Sequence, residues 1–91
     1  MNKALRALLM TMMNQKIIGG RHTNEDKLIK SKTKWLSSKE RREFSKEYKE
    51  VIKNNIIIRQ KKRTMKSSDW HINLNPSKLK QVYEMIYNGS I

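Results

Sequence analysis

The residues best equipped to do chemistry in this sequence are cations. Lys39, Arg42, Lys46, Lys49 and Lys53 recur at alternating three- and four-residue intervals. At about 100° per residue in a helix, that spacing collects them on one strip. A second set, Arg59, Lys61, Lys62, Arg63 and Lys66, follows in a stretch that no acid interrupts before Asp69. Such groups neutralise phosphates and release the counterions condensed on a polyanion, which gives affinity without sequence reading. Arg42 offers one thing more, because its planar fork can grip guanine O6 and N7 together.

Bond-making chemistry is poorly provided for. The chain has no cysteine, so it has no disulfide framework, no thiolate zinc site and no cysteine nucleophile. No Ser-His-Asp or paired-carboxylate arrangement can be argued. Gly19-Gly20 lacks the spacing and the following Lys-Ser/Thr of a phosphate-cradling loop. His22 with Glu25 and Asp26 is a weak metal pattern that reads more readily as a cap and surface residues. Glu40, Glu43, Glu47 and Glu50 have basic residues three or four positions away and read as structural. The expectation is a protein that is no enzyme and holds no cofactor and no metal. Of the aromatic residues, Tyr48, Trp70 and Tyr83 occupy apolar positions of periodic patterns and are expected in the core. Trp35, between Lys34 and Leu36 in a connector, is the one left open for stacking on a base.

The elements that must position these residues can be read from their punctuation. A first helix spans about residues 2–15, with Leu5, Leu8, Leu9 and Met12 at helical spacing. Lys16-Ile17-Ile18 continues it or forms a short strand, and Gly19-Gly20 ends whichever it is. Thr23 or Asn24 caps a short second helix that opens with Glu25 and Asp26 and is anchored by Leu28 and Ile29. Residues 30–34 are basic and aperiodic, and read mostly as connector. The third helix is the strongest, with Ser37 and Glu40 at capping-box spacing and Asn54-Asn55 at its end. Phe44, Tyr48, Val51 and Ile52 form its dry side. The β-branched run Ile56-Ile57-Ile58 and the alternation of Trp70, Ile72 and Leu74 with His71 and Asn73 predict a hairpin, with residues 61–69 as its charged loop. His71 is expected to face outward. Asn75 and Pro76 open a last helix whose apolar face is Leu79, Val82, Tyr83 and Ile86.

Length and charge bound the rest. Ninety-one residues make one domain, 1–91, and 36% apolar content suffices for a core if each element turns one face inward. Twenty-one Lys and Arg against eight Asp and Glu leave a net charge of +13. Self-repulsion of that size is most simply explained by a polyanionic partner. The Leu- and Met-rich start is interrupted by Lys3 and Arg6 and falls short of the roughly 18 apolar residues that a membrane span needs.

Helix, short helix, long basic helix, strand, charged loop, strand, helix is an order that resembles the winged helix-turn-helix, over nearly the whole chain. Ile17-Ile18-Gly19-Gly20-Arg21-His22-Thr23, with Leu74-Asn75-Pro76 before the last helix, is similar to small archaeal proteins of that class. The resemblance implies a mainly α fold with a three-helix core, a two-stranded wing and a C-terminal helix. It implies double-stranded DNA binding, often in transcriptional regulation, with the third helix in the major groove. Carried onto this sequence, the recognition residues are Ser38, Lys39, Arg42, Ser45, Lys46 and Lys49. The wing residues are Arg59, Lys61, Lys62, Arg63 and Lys66. One departure stands out: the connector at residues 31–37 is longer than the tight turn usual for the motif. The partner expected is double-stranded DNA, in the cytoplasm or on the nucleoid, with no membrane involved. An RNA- or ribosome-associated module and a protein-interaction module are the alternatives. Self-association through the first or the last helix stays open.

Overall fold

The computed structural model describes residues 1–63 and 68–88. Along the chain run α1 (Lys3–Asn14), β1 (Thr23–Asn24), α2 (Glu25–Thr33), α3 (Ser38–Lys53), β2 (Ile57–Arg63), β3 (Ser68–Leu74) and α4 (Leu79–Asn88), with a 3-10 turn at Pro76–Lys78 leading into α4. The fold is mainly helical with a small three-stranded antiparallel sheet in the order β1-β3-β2.

α1 lies at the centre. Leu5, Leu8, Leu9 and Met12 are fully buried, which accounts for the breadth of its apolar surface. Asn2 starts the helix, its side-chain oxygen accepting from the Ala4 and Leu5 amides at 2.8 and 3.3 Å. The same residue ties α1 to α3: its backbone N–H donates to Glu47 Oε1 at 2.9 Å, and its side-chain amide donates to the Glu40 carbonyl at 3.1 Å. Buried side chains from α3 (Phe44, Val51), the sheet (Ile57, Ile72, Leu74) and α4 (Val82, Met85, Ile86) close around α1 in one core.

Two helices end in the same way. Beyond α1, Ile17 N–H bonds Met12 O and Lys16 N–H bonds Met13 O; beyond α3, Ile56 N–H bonds Val51 O and Asn55 N–H bonds Ile52 O. These are Schellman caps, with Lys16 and Asn55 at φ 54° and 59°. Each cap drops a buried isoleucine, Ile17 or Ile56, into the core directly after the helix. The helix therefore stops at Asn14, and Ile18 makes an isolated parallel bridge with Leu74. Gly19, at φ 61°, donates to the Leu74 carbonyl, and a Cβ there would lie 3.2 Å from the Pro76 ring. Both the backbone angle and the close approach call for glycine.

Several expectations need correction. α2 runs to Thr33, so residues 30–33 are helical and the connector to α3 shrinks to residues 34–37. The departure from a tight helix-helix turn disappears. Thr23 and Asn24 pair with Ile72 and His71 as a third strand too short to carry a period-two signal, while Asn24 also caps α2. β2 and β3 reach Arg63 and Ser68, which reduces the expected loop to residues 64–67, outside the described residues. On α4, Met85 is buried in place of Tyr83, which is 58% exposed and packs against Tyr87 at 4.5 Å between ring centroids. No helix among the described residues is long and apolar enough to cross a membrane.

Candidate nucleic-acid interface

α3 is amphipathic from Phe44 onward, and its dry side decides where its cations go. Phe44 and Val51 are buried, and Tyr48 and Ile52 pack against the core at its edge. The opposite side is left exposed, including Ser38, Lys39, Arg42, Ser45, Lys46, Lys49 and Lys53. The helix begins with a complete capping box, in which the Ser37 hydroxyl accepts from the Glu40 amide and the Glu40 carboxylate accepts from the Ser37 amide, both at 3.2 Å. The Ser37 backbone N–H, and then its hydroxyl, hold the Glu40 carboxyl below the ordinary carboxylate range. The cap is therefore at full strength at neutral pH and weakens as pH falls through that lowered value.

Three shallow hollows lie along α3, the third at the edge of its dry side. The first, about 500 Å³, is lined by Lys30, Ser31, Thr33, Lys34 and Arg41 where α2 meets α3. The second, about 460 Å³, is lined by Arg41, Arg42, Ser45, Lys46, Lys49 and Glu50. The third, about 290 Å³, is lined by Glu25, Ile29, Tyr48, Lys49, Ile52 and Arg59. Arg41 belongs to the first and second, and Lys49 to the second and third. The hollows thus form a tract from the α2–α3 turn to the base of β2, with cations at every stage.

Of the recognition residues inferred from sequence, Arg42, Ser45, Lys46 and Lys49 share one hollow, while Ser38 and Lys39 are exposed at the start of the helix outside it. Lys30, Lys34 and Arg41 were not anticipated. The first two lie in what reads as an aperiodic connector. Arg41 falls on the apolar side of the helical wheel, but in the first turn of α3, ahead of its first buried residue, Phe44, and it is exposed.

The hairpin residues divide differently. Arg59 is engaged within the protein. Its Nε and Nη2 donate to the two carboxylate oxygens of Glu25 at 2.7 and 2.9 Å, and Tyr48 Oη donates to Glu25 Oε2 at 2.7 Å. Burial and the Glu25 bond raise the Tyr48 pKa, and the Glu25 bond raises that of Arg59, so the phenol and the guanidinium keep their donor protons at any ordinary pH. The guanidinium also lies 4.2 Å from the Trp70 ring centroid, and Lys61 Nζ lies 5.9 Å from it. This corrects two expectations. Arg59 is not a free wing cation, and Trp70 is 41% exposed as a platform for cations instead of a core residue. Lys61 is exposed. Lys62 and Arg63 continue β2 opposite Asp69 and Ser68, with their side chains outside what is described, and Lys66 lies outside the described residues.

The acids on α3 do not close over its cations. Among the described residues the ion pairs are Asp26–Lys30 and Glu25–Arg59. Glu40 and Glu47 turn instead to backbone N–H groups, of Ser37 and Asn2. The three residues of the weak metal pattern have other partners: Glu25 binds Arg59 and Tyr48, Asp26 binds Lys30, and His22 Nδ1 lies 2.9 Å from His71 Nδ1. His71 is therefore half-buried against His22 and not turned outward. No cluster of three candidate metal ligands occurs among the described residues.

Comparison with known protein families, with curated proteins and with solved structures gives no match to this chain.

The two ion pairs should differ sharply in worth. The Glu25 side chain is 13% exposed and accepts three charge-assisted bonds, whereas Asp26 and Lys30 are 77% and 76% exposed. Glu25→Ala should cost about 2 kcal/mol in urea unfolding, after allowing for solvent screening of Arg59. Asp26→Ala should cost less than about 0.5 kcal/mol. Equal effects would show that the Glu25 junction adds nothing beyond a surface pair.

Proposed function

We propose that this protein is a winged-helix binder of double-stranded DNA, acting in transcriptional control, with α3 in the major groove and the β2–β3 hairpin as its wing. The observation that carries the reading is the cationic tract of Arg41, Arg42, Lys46 and Lys49, exposed along the longest helix and free of carboxylate partners among the described residues. The element order and the four-residue turn between α2 and α3 support it, while the sheet carries a third strand, β1, beyond the two-stranded wing that the resemblance implies. An α-helix of this kind fits a major groove about 12 Å wide, and a fork such as Arg42 can read guanine there. Ser45, between Arg42 and Lys49 on the same face, supplies a neutral hydroxyl suited to a base edge or a phosphate. The β2–β3 hairpin, with Lys61 exposed, meets the backbone beyond the groove.

Binding by this route is electrostatic in its larger part. If five or six phosphates are contacted, log K should fall with log salt at a slope of about −5. A slope near zero, measured by fluorescence anisotropy on a short duplex, would reject the mechanism.

Location on the surface can be tested separately from total charge. Arg42→Ala with Lys46→Ala should weaken duplex binding more than Lys78→Ala with Lys80→Ala on the α4 side, with both variants still folded by circular dichroism. Equal losses would mean that charge acts generally and that α3 is not a docking face.

A further inference from the structure

The tract continues past the face that would enter a groove. At the α2–α3 turn it reaches Trp35, which at 81% exposure is the most exposed of the large apolar side chains among the described residues. A single exposed apolar residue is ordinary. This one differs in how it is held and in what surrounds it. The turn spans four residues between two capped helices, and its backbone is locked by Lys34 N–H to Lys30 O at 3.2 Å and Leu36 N–H to Thr33 O at 3.0 Å. Arg41 Nη2 bonds the Lys34 carbonyl at 3.4 Å, which draws the guanidinium toward the turn. The ring is thus displayed on a stiff support.

Its surroundings are cationic. Lys34 Nζ lies 4.9 Å from the Trp35 ring centroid, and the adjacent hollow of about 500 Å³ is lined by Lys30, Ser31, Thr33, Lys34 and Arg41, with no acid. Asp26 pairs with Lys30 at 3.1 Å, but Lys34 and Arg41 have no carboxylate partner among the described residues. An apolar protein partner would want a continuous apolar patch here, and it would find a lone ring ringed by charge. A flat π-face beside uncompensated cations and hydroxyls fits a ligand that is itself a flat ring carrying an anion.

We infer that Trp35, Lys34 and Arg41 form a site for an unpaired nucleotide of a DNA strand leaving the duplex, the base stacking on Trp35 and its phosphate lying against Lys34 and Arg41. The inference rests on the proposed reading of α3 as the duplex-binding helix. Arg41 lines both the α3 hollow and the turn hollow, so a strand running along α3 passes from one to the other at a cation, with Glu50 the one acid lining either hollow. The site would favour ends, gaps or melted segments over continuous duplex. Stacking is tolerant of base identity, because every base has a π-face.

The test compares a blunt duplex with the same duplex bearing a short single-stranded overhang on either strand, titrated into the full chain and its Trp35 variants. For the unmodified protein, an overhang on one of the two strands should tighten binding by roughly tenfold, the scale of one base–aromatic stack. Trp35→Ala should abolish that gain and leave the blunt duplex affinity unchanged, while Trp35→Phe should retain most of it. In a Trp70→Phe background, Trp35 emission should be quenched by the overhang duplex and not by the blunt one. If overhangs add nothing, or if Trp35→Ala weakens both duplexes by the same factor, the inference fails and duplex binding stands. If the blunt duplex does not bind at all, the α3 reading fails first and this site falls with it.

Discussion

The dry side of α3 sets which way its cations face, and one carboxylate pins that arrangement. Glu25 opens α2, where the helix dipole favours a negative charge. It accepts from Tyr48 of α3 and from both ends of the Arg59 fork on β2. Three elements distant in sequence are thereby fixed at one point. The apolar core supplies most of the stability and sets which side of α3 faces inward, but burial is non-directional and leaves small shifts of α3 along α1 to be fixed by polar contacts. Hydrogen bonds of 2.7 to 2.9 Å to a nearly buried carboxylate fix them. Asn2 does the same at the other end of the contact, bonding α1 to Glu47 and to the Glu40 carbonyl.

This fixation also settles how the charge is spent. A net +13 on 91 residues works against compactness, and one remedy would be to pair acids with bases along the helix surface. On α2 Asp26 and Lys30 do so, but α3 does otherwise. Glu25 and Glu47 are used inward, on Arg59 and Tyr48 and on the Asn2 amide, and the exposed Glu40 is used on the α3 cap. The outward strip of α3 is left as a row of cations with little compensation. Repulsion retained there is relieved when an anion binds, which is the physical link between the architecture and the function proposed for it.

Much of the architecture was legible because it rests on short-range rules. The α3 boundaries followed from Ser37, Glu40 and Asn54-Asn55, and the α1 core positions from the spacing of Leu5, Leu8, Leu9 and Met12. The start of α4 followed from Asn75 and Pro76. What escaped depends on partners far away in sequence. Arg59 looks like any other cation of the hairpin until Glu25, 34 residues earlier, folds beneath it. Trp70 alternates with Ile72 and Leu74, yet it lies where the strand has passed the edge of the core, so the same face is dry at Leu74 and wet at Trp70. On α4, Met85 and Tyr83 flank the buried face from opposite sides, and helical period alone does not choose between them. The helical character of residues 30–33 was hidden by lysines, which have adequate helix propensity but carry no apolar signal.

The central claim is that the exposed side of α3, from Arg41 to Lys49, is the surface that meets DNA. An NMR titration of labelled protein with a short blunt duplex tests it most directly. The amide shifts of Arg41, Arg42, Ser45, Lys46 and Lys49 should move together and most strongly, with those of Lys61 following and the α4 amides near Tyr83 and Tyr87 staying still. Shifts concentrated on α4, or spread evenly over every lysine of the molecule, would contradict the account.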